Sequence, residues 1–490
     1  MVILTQILEK ARQAIEKSCN NFLETGNLET LCENTQEQVL ALGRDVVRAT
    51  LEELDAKLIA DEERKKNWNI LRTEKKQILT SLGTVSFKKT IVRDKATKKQ
   101  ACSLLDKKVG LTAHQKTTDE VVTRIAEAAV LNSYEYAGSR AVLNGETLSR
   151  QTAMNKVRGI VIPDQTAIDD SKQIEKKKVD YLHIDADEDH ASLQFYSKKG
   201  DLQRQGCYKR NTLITKLVYV YEGIDTTENR HELINPHYFA GTYQGEKQYD
   251  LWDEVYAYMD THYDLDHVKA IYLHSDGGSW ITSVTEYIPG LIHVLDSFHL
   301  HKYLTQATTQ FGKYRHSLKE HLLDLIKCGK KSEYQACMDS LGKAKNLTEN
   351  GKYQIDRCKA YILNHWQAAR RSLSDDDSIC SCTAESHVRS VLSDRMSTKP
   401  MGWCKKGADQ MAHLRAYYIN GNAMSKLIHW QKERNIVKQA VGAETTSLPV
   451  RKVKPGDRYV DQINVHPLPA VMQNTSFRKL CHGDSEEFFS

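Results

Sequence analysis

The chain has 490 residues, 40% of them hydrophobic and 27% charged. That is enough apolar side chain to bury a core, which excludes a disordered polyelectrolyte. The formal net charge is only +5, so any nucleic-acid surface has to be a local patch. The apolar start, MVILTQILEKARQAIEK, is short and runs into charge. No apolar run approaches the roughly 18 residues of a membrane span. A soluble, cytoplasmic protein of about three domains, with no membrane partner, is expected. Eleven cysteines are scattered, the closest pair being Cys380 and Cys382 in a C-x-C spacing. Paired zinc-ligand spacing is absent, and free thiols in a reducing compartment are expected.

Residues 1–75 predict an N-terminal helical region. They lack proline, and the apolar spacing in NTQEQVLALGRDVVRATLEELDAKLI follows a helical period. Residues 76–116 predict a basic β-hairpin. There TSLGTVSFKKTIVRDKATKKQACSLLDKK alternates apolar and polar residues around a DKATKK turn. Lys88, Lys89 and Arg93 lie in this stretch among few acids. They read either as phosphate contacts or as a solvated charged face.

Residues 117–175 have the layout of a helix-turn-helix. The first helix should end near Leu143, with Asn144-Gly145 as the turn and Leu148 as a buried plug. Ser149 should cap the second helix. Ala153 and Val157 would then face inward, and Arg150, Gln151 and Asn155 outward, where a recognition helix meets base edges. Helix pairs of this kind also occur in proteins that never touch DNA.

From about residue 176 the pattern becomes strand-rich. VDYLHIDADEDHASLQFYS, TLITKLVYVYEGID and HELINPHYFAGTY read as strands, and SKKGD as a turn. QYDLWDEVYAYMDTHYD reads as an amphipathic helix, HVKAIYLHSDGG as a fourth strand, and LIHVLDSFHLHKYL as a fifth strand running into a helix. Three antiparallel strands followed by parallel ones reached through a crossover helix is the order of an RNase H-like domain. The expected class is therefore a multidomain α+β or α/β protein. An RNase H-like mixed-sheet core would occupy residues 176–305 and 379–440, interrupted by an all-helical insertion at 306–378. Proline-rich residues 441–490 would form an extended tail.

Three acids stand out because phosphodiester attack needs an activated nucleophile and neutralised transition-state charge. Two Mg2+ ions about 4 Å apart do both, held by carboxylates. In HIDADEDH, strand alternation puts Leu182, Ile184 and Ala186 on one face and Asp185 and Asp187 on the other. Asp276, in AIYLHSDGGSWI, sits just past the end of a buried strand, where sheets with parallel strands form sites. Glu385, in TAESHVRSVLSDRM, opens a helix that Thr383 should cap. Each acid alone also fits an ordinary exposed strand, turn or helix start. LDSFHLHKYL adds Asp296, His299 and His301, with hydrogen-bonding support the expected role.

HIDADEDH, YLHSDGGSWI, LDSFHLHKYL and AESHVRSVLSDRMSTKPMGWCKKGADQMAHLR resemble the ISLre-two family of bacterial insertion-sequence transposases, which is similar in layout to the Mutator-like transposases. The resemblance runs from the basic hairpin to about residue 420, and AESHVRSVLSDRMSTKPMGW is its most specific part. It implies a DDE catalytic domain of RNase H-like fold interrupted by a helical insertion before the final Glu. Asp187, Asp276 and Glu385 would be the metal-holding catalytic acids, with Asp185 a rival for the first. Two Mg2+ ions would be the cofactor, with Mn2+ able to substitute. Double-stranded DNA, as terminal inverted repeats and target, would be the substrate. A homodimer or higher multimer would assemble on the ends, associated with the nucleoid. Arg389 and Arg395 would be DNA contacts, and Ser149, Arg150, Gln151 and Asn155 would serve end recognition. The alternatives are a metal-dependent nuclease or resolvase without strand transfer, and a non-catalytic DNA-binding protein derived from a transposase.

Overall fold

The first two helices, α1 (Val2–Thr25) and α2 (Leu28–Ala60), pack on each other. Between them Gly26 takes φ +66°, and Asn27 caps α2 by accepting the Thr30 N–H at 3.1 Å. The computed structural model describes residues 2–442 except 97–100, 113, 163–174, 195–203, 206–207, 210–211, 228–231, 246–247, 289, 346 and 400. The expected tail lies outside the described residues from 443 on, and so does the SKKGD turn. The chain divides into two compact units. One comprises Met1–Val161 with Ala423–Lys438, and the other is built on Ile162–Asn422.

In the first unit a hairpin joins β1 (Trp68–Thr80) to β2 (Gly83–Asp94) through Ser81 and Leu82. It starts earlier than expected and turns at TSLG rather than at DKATKK, which follows β2. Polar Arg72, Glu74, Lys75 and Gln77 disguise the first strand. Its buried face also carries Lys76, which pairs at 3.2 Å with Asp106 of α3 (Leu104–Val109). The region read as a helix-turn-helix comprises α4 (Asp119–Leu131), α5 (Tyr134–Ser139) and α6 (Arg150–Arg158). Helix α5 ends at Ser139, short of Leu143, because the Leu143 N–H is taken by the Ser81 carbonyl at 2.8 Å. Ser149 caps α6 at 3.2 Å as expected, and Ala153 and Val157 are buried.

The second unit is a mixed α+β body around a five-stranded sheet. Its strands are β3 (Tyr181–Ser192), β4 (Thr212–Tyr221), β5 (His237–Gly241), β6 (Ala270–Ser275) and β7 (Leu291–Leu295). Their spatial order is β7-β6-β3-β4-β5. β3, β4 and β5 pair antiparallel, whereas β6 and β7 run parallel to β3. The helix between β5 and β6, α7 (Gln248–His262), makes the crossover that a parallel return requires. Strand alternation sends Leu182, Ile184 and Ala186 into a core with Val218, Val220, Leu251, Trp252 and Val255. Each such large apolar side chain contributes roughly 1.5–3 kcal/mol on burial.

The segment read as an insertion carries helices, and their apolar residues Ile326, Tyr334 and Trp366 cluster with Leu304. It follows α8 (Ser297–Thr308) and contains α9 (Arg315–Lys327), α10 (Lys331–Gly342), α11 (Glu349–Asn364) and α12 (Trp366–Ser372). Next, α13 (Ala384–Val388) packs on β3, and α14 (Lys405–Ile419) packs on β5. The last described helix, α15 (Met424–Gly442), departs from expectation: residues 423–438 return to the first unit.

Candidate active site

β3 and β6 pair in parallel register up to Asp185 with His274, and β6 and β7 up to Ser275 with Leu295. Two positions past the first pair stand Asp187 and Asp276. One position past the second stand Asp276 and Asp296. The three aspartates thus share one level, where β6 and β7 end beside the middle of β3, the side at which sheets with parallel strands place their sites.

Asp187 is half-buried, and its Oδ1 accepts the Glu188 N–H at 2.8 Å. Burial pushes its carboxyl up to about 6, the Asp276 charge adds to this, and the Glu188 N–H and His299 work the other way. The Asp276 Oδ1 accepts the Gly278 N–H at 2.8 Å. Gly277 makes the turn at φ +85°, and a Cβ there would come 2.7 Å from the His365 Nε2. The Tyr361 hydroxyl of the insertion donates to the Asp276 carbonyl at 2.7 Å. Asp296 caps α8 and holds the His299 Nδ1 at 2.7 Å. That bond raises the affinity of His299 for its second proton, with Asp276 and Asp187 contributing.

The structure therefore gathers Asp187, Asp276, Asp296 and His299. Glu385 lies in the exposed first turn of α13, and its side chain makes no hydrogen bond or ion pair among the described residues. Among those residues, no group of three or more His, Cys, Asp or Glu side chains could hold a metal ion. Asp187 and Asp276 nevertheless suit a hard divalent ion. They are neighbouring carboxylates, one with a raised proton affinity, and no lysine or arginine is ion-paired to either among the described residues. Mg2+ typically takes one or two protein carboxylates and fills the rest with water and substrate phosphate.

Asp185 is fully buried and engaged. Its Oδ1 accepts from the Tyr221 hydroxyl at 2.9 Å, and its Oδ2 from the Tyr219 hydroxyl at 2.8 Å and the Thr383 N–H at 2.7 Å. Thr383 makes no side-chain cap on α13, contrary to expectation; its hydroxyl turns to Asp185 at 3.1 Å instead.

Of the expected DNA contacts, Arg150, Gln151 and Asn155 are exposed along α6, and Lys88, Arg93 and Arg389 are exposed too. Ser149 spends its hydroxyl on the cap. Two expectations are corrected. Lys89 is buried and ion-paired to Asp106, because the even spacing of a strand turns it inward. Arg395 is buried with its guanidinium 4.9 Å from the Trp403 ring centroid. Neither is placed to meet a phosphate. Sequence reasoning missed Tyr361 and His365, since nothing local to the insertion marks them. It also missed Trp280, whose Nε1 donates to the Glu188 Oε2 at 2.9 Å; the Trp in DGGSW was the available signal.

Comparison with known proteins gives a match to the family described as "Uncharacterised protein family (UPF0236)" over residues 21–434. A UPF0236 protein of Caldanaerobacter subterraneus subsp. tengcongensis is 33% identical over 411 residues, covering 84% of this chain and 82% of its own. One in the vanSb 3' region of Streptococcus gallolyticus is 30% identical over 393 residues, covering 77% of this chain and 80% of its own. Among solved structures, the Drosophila P element transposase strand transfer complex aligns over 69% of this chain and 88% of its own at 12% identity. Its TM-score is 0.23.

Proposed function

We propose that this chain, which belongs to the uncharacterised protein family UPF0236, is a DNA transposase of the ISLre-two type with an RNase H-like core. The observation that carries the reading is that Asp187 on β3 and Asp276, one residue past the end of the parallel neighbour β6, stand at the same level, with the Asp187 carboxyl raised to about 6. Placing two half-buried acids side by side is unfavourable unless a cation neutralises them in use. The order and directions of the five strands also agree with an RNase H-like sheet.

Asp187, Asp276 and Glu385 would hold two Mg2+ ions, or Mn2+ in their place, which supply activation of the attacking oxygen and neutralisation of charge on the phosphorus centre. The chain's own groups do the rest. The Gly278 N–H and the Tyr361 hydroxyl fix the Asp276 turn. Asp296 orients the His299 ring beside the two acids. Arg150, Gln151 and Asn155 present donors and acceptors to base edges, while Lys88 and Arg93 meet phosphates. The DNA would be the terminal inverted repeats and target of the element, bound by a multimer.

The test incubates the purified chain and a labelled duplex, taken from the DNA bordering its gene, with Mg2+ or Mn2+. Metal-dependent cutting followed by joined products is expected, lost in Asp276→Asn with DNA binding retained. Undiminished cutting by Asp276→Asn would overturn the site, and cutting without joined products would reduce the function to a nuclease.

A further inference from the structure

The Glu385 helix reaches the sheet through one buried carboxylate. Asp185 lies two residues before Asp187 on the same face of β3, and Thr383 lies two residues before Glu385. Asp185 and Thr383 are joined twice, through the Thr383 N–H at 2.7 Å and its hydroxyl at 3.1 Å. Tyr219 closes the knot: its hydroxyl donates to Asp185 at 2.8 Å, and its oxygen lies 2.7 Å from the Thr383 Oγ1, whose single proton serves either Tyr219 or Asp185. Tyr221 takes the remaining Asp185 oxygen at 2.9 Å. A second fastening lies farther along the same helix, where the Tyr238 hydroxyl meets the His387 Nδ1 at 2.9 Å.

This arrangement has a geometric consequence. Each residue step spans at most about 3.8 Å. Glu385 is therefore held within two steps of a point fixed to β3 two steps below Asp187. A short helix ending in a free loop would have no such restraint. Beyond Val388 the helix widens into a π turn, Arg389–Ser393, whose Ser390 and Val391 carbonyls are taken by the Arg415 guanidinium. The register of Glu385 is thereby fixed from the Thr383 end, ahead of the irregular turn.

We infer that Asp185 and Thr383 are positioning residues: together they bolt the Glu385 helix to the strand of Asp187, so that Glu385 can join the aspartates on a shared divalent ion. This rests on the proposed metal-dependent function. It also removes Asp185 as a rival ligand, because its oxygens are already occupied by the Tyr219 and Tyr221 hydroxyls and the Thr383 N–H, with the Thr383 hydroxyl alongside.

The experiment titrates Mn2+ into the full chain, without DNA, for wild type, Thr383→Val, Thr383→Ser, Glu385→Gln and the Thr383→Val/Glu385→Gln double variant. Urea unfolding of each is measured in parallel. Loss of a hydrogen-bonding support to a metal ligand typically weakens metal binding about 10–100-fold. Thr383→Val should show a loss of that order, and Thr383→Ser should restore affinity. In the Glu385→Gln background Thr383→Val should cost little more, because the two act through one ligand. A full additional loss in the double variant, or wild-type affinity in Thr383→Val, would overturn the inference. Absence of Mn2+ binding by the folded wild type would sink the metal-dependent reading itself. If Thr383→Val fails to fold, the Thr383→Ser and Asp185→Asn pair gives the same comparison, with loss expected only in the latter.

Discussion

The hydroxyl of Tyr361, far along the helical insertion, donates to the backbone carbonyl of Asp276 at 2.7 Å. The Tyr361 ring is itself stacked on Tyr303, with centroids 4.0 Å apart. The insertion thus holds the turn that carries the second acid. Tyr361→Phe keeps the stack and removes the bond. Stability should fall by only about 0.5–1.5 kcal/mol, while metal-dependent cutting falls by more than that loss explains. Urea midpoints and cleavage rates measured side by side check this; unchanged rates would separate the insertion from the chemistry.

Asp187 gives a signed pH effect. Its folded-state value of about 6 lies above the ordinary 3.8, so the folded protein binds this proton more tightly than the unfolded chain. The stability it contributes is fully present below pH 3.8 and is lost as pH rises through about 6. In the presence of a chelator, Asp187→Asn should match wild type near pH 4 and exceed it above pH 6, by on the order of 3 kcal/mol. Denaturation midpoints across that range test the sign; a variant less stable at pH 8 would contradict it.

Neighbouring lysines on β2 should behave oppositely. Lys89→Ala leaves Asp106 buried with fewer counter-charges and should destabilise the fold by about 3–5 kcal/mol. Lys88 is exposed, so Lys88→Ala should leave the unfolding midpoint in place and lower the salt slope of DNA binding by about one. Thermal melts and binding at several salt concentrations distinguish the two.

Arg150 stands exposed in the first turn of α6. Arg150→Ala should weaken binding to the element's ends by about 1–3 kcal/mol if the side chain reads a base. Competition with random duplex is the check, since an equal loss on both DNAs would make Arg150 a phosphate contact.

Local patterns carried much of this structure in the sequence. The alternation in HIDADEDH sorted Leu182, Ile184 and Ala186 from Asp185 and Asp187, and the apolar run before Asp276 marked a strand end. The strand directions followed from the succession of elements and the crossover helix. What stayed hidden depends on partners distant along the chain. Lys89 resembles a surface lysine until Asp106 is brought beside it. Arg395 resembles a DNA contact until Trp403 covers it. Thr383 looks like a helix cap because its bond to Asp185 spans two segments that only the folded sheet brings together. The hairpin was displaced because a buried Lys76 breaks the apolar alternation that announces a strand.

Helix α15 closes the first unit from the far end of the chain. Gln431 bonds the Val161 N–H at 3.0 Å and the Gly159 carbonyl at 2.8 Å, and Lys432 reaches Asp119 at 2.7 Å. These bonds bridge 270 to 313 residues of sequence. During synthesis, the flank of α4 and the end of α6 therefore wait, incomplete, until the ribosome has translated nearly everything between. Translation that stops early leaves a fragment whose α4 and α6 lack their last brace, so integrity of the N-terminal unit reports on synthesis of α15.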